Sequence, residues 1–355
     1  MTAPFVYNSL PQRVVFGAGS LVRVREEAEA LGAKRALVLC TPQQTGQAEE
    51  VARLLGGLSA GIHDGAVMHV PVEAADRAVA VARERGADIC IAVGGGSTIG
   101  LGKAIALRDG LAILAVPTTY AGSEMTPIWG MTEAGLKTTG RDVRVLPKTV
   151  IYDPELTYGL PSVISGPSGM NAIAHAIEAL YSETANPVVS LMAEESIRAL
   201  GRALPVVVAE PENAGARGDA LYGAWLAGSC LGCVGMALHH KLCHTLGGSF
   251  NLPHAEVHTI VIPYAAAYNE PAVPEALGKV ARALGAVRAS DGLYDLARSI
   301  GAKTALRDIG MKREDLDKAA DIATRNPYFN PRKVTRDGIR DLLEQAWHGE
   351  RPRVA

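Results

Sequence analysis

Five of the chain's nine histidines fall in the 22 residues from Ala237 to His258: His239, His240, His244, His254 and His258. Residues four apart share one face of a helix, so His240 and His244 are expected to project their imidazoles side by side. Gly247 and Gly248 then read as a helix stop, and Pro253 opens the next element just before His254. A chain that turns back there brings a third imidazole toward the first two. A lone helical histidine is usually a surface or satisfied core group, but this concentration in a histidine-poor chain predicts a site. Asn171 and His175, in G-M-N-A-I-A-H, are again four apart. With His240, His244 and His254 they offer imidazoles enough for zinc or iron with open positions. Their remaining partner is a neutral amide, where an aspartate would have brought negative charge.

A second group of residues could hold phosphate. Gly94-Gly95-Gly96-Ser97-Thr98 follows an apolar strand and leads into a helix. Backbone amides approach a phosphate closely where side chains are absent, and a helix N-terminus adds partial positive charge. The stretch departs from the usual dinucleotide fingerprint, because position 99 is Ile. It is no P-loop either, because Ser97 stands where its first glycine should be and Lys103 precedes Ala104. A plain tight turn is the alternative, and the position at a strand's carboxyl end favours a diphosphate site. Thr118 and Thr119, after the next strand, either bond phosphate or ribose or only cap the turn. Lys137 either lies beside a nucleotide or is solvated.

The elements that must position these groups change character along the chain. Up to about Tyr152, apolar runs of strand length (Arg35 to Cys40, Ile89 to Val93, Leu111 to Val116) alternate with helical periodicity at Leu21 to Leu31, Gln47 to Leu55 and Val72 to Gly86. A looser strand is expected near Ala60 to Asp64. The alternation predicts an α/β domain with a doubly wound, mainly parallel sheet over residues 1–157. Residues 158–355 are expected to form an all-helical domain that carries the catalytic groups. Its helices are expected over Ser168 to Ser182, Val188 to Leu204 and Asp219 to Cys243, with several more to Gln345.

Composition adds limits. At 355 residues, two domains are the first expectation. A net charge of −2 gives no reason to expect nucleic acid or an anionic membrane as partner. No apolar run reaches bilayer-spanning length and the N-terminus lacks a signal-peptide layout, so a cytoplasmic protein is expected. Five cysteines without framework spacing fit reduced thiols, and the C-x-x-C of Cys230 and Cys233 reads as core helix.

Together these motifs resemble the iron-containing (group III) alcohol dehydrogenase family over essentially the whole chain. G-G-G-S after one strand, P-T-T after the next and the histidine-bearing helices come in the family's order. The resemblance implies a dehydroquinate synthase-like architecture and a nicotinamide dinucleotide, NADH or NADPH. Gly94, Gly95, Gly96, Ser97 and Thr98 would hold the diphosphate, with Thr118, Thr119 and Lys137 around it. Thr41 stands where NAD-selective relatives often carry aspartate, which implies that NADPH is accepted alongside NADH. The family's metal ligands correspond to Asn171, His175, His240 and His254, with His244 close to the nicotinamide. Because Asn171 replaces a carboxylate, no metal is expected.

The segments P-T-T-Y-A-G-S-E-M-T, S-G-M-N-A-I-A-H, A-L-H-H-K-L-C-H-T-L-G-G and N-P-Y-F-N-P-R are similar to one branch of that family. That branch reduces the carbon–carbon double bond of maleylacetate to give 3-oxoadipate in bacterial breakdown of aromatic compounds. The likeness implies a small dicarboxylate substrate and a homodimer. In the chemistry this entails, His244 and His254 are the expected catalytic pair, His175 and His240 orient substrate, and Asn171 donates an amide hydrogen bond. Lys241, Arg325 and Arg332 either bind the substrate's carboxylates or serve ordinary surface roles, and Tyr120, Tyr328 and Asn330 are further candidates. The competing readings are a metal-dependent alcohol or polyol dehydrogenase, a sugar-phosphate cyclase, and a non-catalytic nucleotide-binding protein.

Overall fold

Short, fully apolar runs such as Ala36–Leu39 and Ile89–Gly94 bury both faces, which only the middle of a parallel sheet covered by helices allows. The computed structural model describes residues 4–134, 136–326 and 328–353. It divides into two compact units, one of Ser9–Leu160 and one of Pro161–Ala355 together with Met1–Asn8.

In the first unit the strands are β1 (Arg13–Phe16), β2 (Ala36–Leu39), β3 (Ser59–His63), β4 (Ile89–Gly94), β5 (Ala112–Pro117) and, after a hairpin of β6 (Ile128–Glu133) and β7 (Leu136–Arg141), β8 (Thr149–Tyr152). The helices are α1 (Val24–Ala30), α2 (Thr45–Leu55), α3 (Val72–Glu84) and α4 (Gly96–Asp109). The main sheet has six strands in the order β1-β8-β5-β4-β2-β3, and every pair is parallel. The chain runs outward from β2 to β3, then crosses back to β4 on the other side of β2. The carboxyl ends of β2 and β4 therefore flank a topological switch point, where open α/β sheets bind ligands. Thr41 and the glycine run lie just beyond those two ends. The hairpin β6–β7 is antiparallel and separate from the main sheet, and the sequence reading had no strands there.

The second unit is helical among its described residues: α5 (Ser162–Leu180), α6 (Pro187–Ala209), α7 (Ala214–Cys233), α8 (Leu238–Phe250), α9 (His254–Asn269), α10 (Pro274–Leu284), α11 (Ala289–Ser299), α12 (Leu316–Thr324) and α13 (Arg336–His348). Two expectations need correction. The run from Asp219 to Cys243 is two helices, since α7 stops at Cys233 and α8 starts at Leu238 after a bend of 96°. Gly247 and Gly248 do not stop a helix, because α8 continues to Phe250 and Asn251 ends it at φ 52°. Glycine inside a helix costs only about 1 kcal/mol, less than the packing of Leu242, Cys243 and Leu246 in the core returns. No single helix among the described residues is long and apolar enough to cross a membrane.

Candidate active site

From Asn171 to Leu180, α5 is apolar except for Asn171, His175 and Glu178, whose spacing of four and three makes one polar stripe. The first turn of α8 carries His239 and His240, and the first two turns of α9 carry His254 and His258. The rings of His175 and His240 stack, with centroids 4.9 Å apart and planes at 25°. His258 lies 5.1 Å from His240, 5.0 Å from His239 and 4.4 Å from His254, and His244 lies 6.3 Å from His240. The predicted set is thus assembled: His175 and His240 buried, Asn171 half-buried, His244 and His254 exposed.

Glu178 is fully buried at the hub. Its Oε1 accepts from the backbone N–H of His239 at 2.7 Å. Its Oε2 accepts from the N–H of Ala237 at 2.8 Å and lies 2.7 Å from His240 Nδ1. Burial pushes the Glu178 carboxyl up, and the donors around it oppose that shift. Burial, followed by the mutual repulsion of the imidazoles, holds His175, His240 and His258 well below the ordinary histidine value, and His239 down to about 4. These rings are neutral at pH 7. Several of their buried polar atoms have no hydrogen-bond partner: Asn171 Oδ1, His175 Nδ1, His240 Nε2 and both nitrogens of His258. A cluster of unsatisfied neutral donors and acceptors suits a polar guest.

The other predicted contacts divide. Lys241 is half-buried, with Nζ 5.5 Å from the centroid of Tyr328, whose buried hydroxyl lacks a partner. Arg325 is exposed. Arg332 donates to the Tyr268 carbonyl at 2.8 Å and lies 4.4 Å over the Tyr268 ring. Asn330 exchanges side-chain hydrogen bonds with Asn269 at 2.7 and 3.1 Å. Both residues therefore fasten their loop to α9. Cys230 and Cys233 lie on α7, and among the described residues neither is in a disulfide.

In the other unit the glycine run turns from β4 into α4. Gly94 has φ 150°, and a Cβ there would meet Thr98 Oγ1 at 2.5 Å and Gln44 Oε1 at 2.6 Å. One on Gly95 would meet Thr119 at 2.9 Å. The first turn of α4 has no side-chain cap, and Thr98 Oγ1 is buried without a partner. Ser97 and Thr119 are half-buried beside it. Gln44, which sequence reasoning missed, receives the Thr41 hydroxyl at 3.1 Å and donates to Thr118 Oγ1 at 2.6 Å, joining the ends of β2 and β5. Tyr120 is fully buried in this unit. The Lys137 backbone pairs with Thr132 in the hairpin, and its side chain lies outside the described residues.

Residues 11–154 match the family of iron-containing alcohol dehydrogenases, and residues 166–347 match the C-terminal part of the same family. The chain belongs to the iron-containing alcohol dehydrogenase family. It is 58% identical over 351 residues to a maleylacetate reductase of Sphingobium indicum, covering 99% of each chain. The crystal structure of maleylacetate reductase from Agrobacterium tumefaciens superposes with a TM-score of 0.96 at 55% identity, over 99% of this chain and 100% of that one. A sulfoacetaldehyde reductase of Bifidobacterium kashiwanohense, solved with NAD+, gives 0.90 at 25% identity, over 97% and 99%.

The cofactor is of the nicotinamide dinucleotide type, and the turn between β4 and α4 suits its diphosphate: a Cβ at Gly94 or Gly95 would crowd Thr98, Gln44 or Thr119, and the helix start has no side-chain cap. The family's metal fits less well. The corresponding donors are one amide and three imidazoles, none of them anionic, and the carboxylate of Glu178 already has two backbone N–H donors and the His240 Nδ1. Among the described residues, the metal-type ligand atoms gathered within 4.8 Å belong to His239, His240 and His258, of which only His240 is in the family's set. These residues do not fit a site built around an anionic ligand.

Proposed function

We propose that this protein is a maleylacetate reductase, reducing the carbon–carbon double bond of maleylacetate to 3-oxoadipate with NADH or NADPH. The end-to-end identity with maleylacetate reductases carries the reading. The histidine cluster supports it, because an enone carries its own electron sink and needs proton management more than a Lewis acid.

A reduced nicotinamide, when bound, supplies the hydride. Hydride arriving at the alkene carbon furthest from the ketone forms a C–H bond there, and the displaced alkene π pair pushes negative charge onto the ketone oxygen as an enolate. That oxygen needs N–H donors, and the carbon next to the ketone then takes a proton. His244 and His254, the exposed members of the cluster, serve as the acid and the oxyanion partner. His175, His240 and Asn171 orient the substrate, while Lys241 and Arg325 are the available cations for its carboxylates. The glycine turn, Thr98, Thr118 and Thr119 hold the dinucleotide, and Thr41 leaves room for a 2′-phosphate. The same reading makes the protein a metal-independent, cytoplasmic homodimer, with neither nucleic acid nor membrane as partner. Its five free cysteines agree with a reducing compartment.

The test is oxidation of NADH and, in parallel, NADPH by fresh maleylacetate, with and without a strong chelator. Chelator-resistant turnover with both cofactors is expected. Turnover that chelator abolishes and iron or zinc restores would move the protein to the metal-dependent dehydrogenases.

A further inference from the structure

We infer that Glu178 is the positioning residue of the histidine site: one carboxylate caps the N-terminus of α8 and holds His240 as its Nδ1–H tautomer, presenting Nε2 as a hydrogen-bond acceptor. The proposal deepens the reading of this cluster as the reductase site and rests on it.

The start of α8 shows why such a residue is needed. A helix leaves its first N–H groups unpaired, and serine, threonine, aspartate or asparagine normally caps them. Here the cap position is Ala237, with φ −126° and ψ −142°, and its side chain offers no oxygen. The N–H groups of Ala237 and His239 instead reach Glu178, 59 and 61 residues earlier on α5, at 2.8 and 2.7 Å. The helix N-terminus and two backbone donors together stabilise a negative charge at this buried position. A carboxylate only accepts hydrogen bonds, so His240 Nδ1 at 2.7 Å must carry the proton.

The other nitrogen is then settled. His240 is 7% exposed and stacked on His175, and its partnerless Nε2 holds a lone pair. An acceptor cannot stabilise an enolate oxygen. His240 therefore takes a hydrogen bond from a neighbouring N–H or from the guest, and the donor work falls to His244 and His254. Moving the proton to Nε2 would invert this polarity without moving an atom of the backbone.

The test uses full-length protein labelled with ¹⁵N at histidine, and long-range proton–nitrogen spectra of the imidazoles. The His240 signals are assigned by their loss in His240→Gln. The wild type is expected to show a protonated Nδ1 and a bare Nε2. Glu178→Gln offers one acceptor oxygen and an amide that only donates, so His240 should shift toward the Nε2–H form. The kcat should fall about 10- to 100-fold, with the far-UV dichroism and the KM for NADH little changed. Glu178→Asp should restore part of the Nδ1–H signal and part of the rate. A wild-type Nε2–H spectrum overturns the proposal, even if the variants fail to fold. So does an unchanged tautomer in Glu178→Gln. The spectra need no substrate, so a correct tautomer in a protein that ignores maleylacetate would separate failure of the reductase reading from failure of this one.

Discussion

Asn171 is the residue on which the chemistry turns. Its amide oxygen is buried without a partner on the same helix face as His175, where relatives with a metal would need charge. Asn171→Asp returns an anionic oxygen beside two imidazoles, one of them backed by Glu178 as carboxylate–histidine–metal arrangements are. The variant is expected to hold about one zinc or iron per chain after dialysis, measured by elemental analysis, while the wild type holds far less. Its reduction of maleylacetate should then respond to chelator. Equal metal content in the two proteins would show that the neutral set binds a dication unaided. The proton-handling roles are tested separately: His244→Ala and His254→Ala should each lower kcat by about 10²- to 10³-fold in stopped-flow NADH oxidation. An undiminished rate in either would remove that residue from the mechanism.

At the scale of elements, α4 does more than begin at the glycine turn. Lys103 on its buried face sends Nζ to the carbonyls of Ser123, Thr126 and Ile128 at 2.7, 2.8 and 2.7 Å, and to Thr126 Oγ1 at 3.0 Å. It thereby ties the loop after Thr118 and Thr119 to the start of the hairpin. Burial pushes this ammonium down to about 7, while four oxygens around it favour the charged form. Lys103→Met leaves those oxygens unsatisfied and should cost about 3 kcal/mol or more in urea unfolding. A loss under about 1 kcal/mol would mean that water replaces the ammonium. The sequence announced the helix and strand alternation because runs such as Ile89–Gly94 bury both faces and read as apolar throughout. It did not announce β6, whose half-buried residues mix polar and apolar side chains, or β7, whose described residues are mostly exposed. Nor did it announce the break before α8, because the residue that caps that helix lies on α5. The histidines could be found from their local spacing, whereas Glu178 acts across 62 residues and shows in the sequence only as the last member of an Asn-His-Glu stripe.

For the whole molecule, the buried imidazoles make folding sensitive to acid. His175, His239, His240 and His258 have native values below the ordinary 6.5, so the unfolded chain binds more protons than the native one below that pH. Stability then rises with pH through this window and is lost as pH falls from about 6.5, for His239 down to about 4. Each such histidine contributes up to about 1.4 kcal/mol per pH unit. Four acting together can remove a large share of the roughly 5–15 kcal/mol that holds a protein folded. Glu124 and Glu178, whose carboxyls burial pushes up, act in the opposite sense, from about 4.5 up to their native values. Glu270 is raised by burial in the same way and His63 lowered, so the carboxyls offset part of the histidine effect. Urea unfolding at pH 7 and pH 5.5 should therefore show a lower stability at pH 5.5. Replacing one titrating ring, as in His258→Gln, should reduce the dependence on pH by about one proton. A free energy that stays flat between the two pH values would mean that the cluster takes up protons while folded, and its rings would then be acids ready-made at neutral pH.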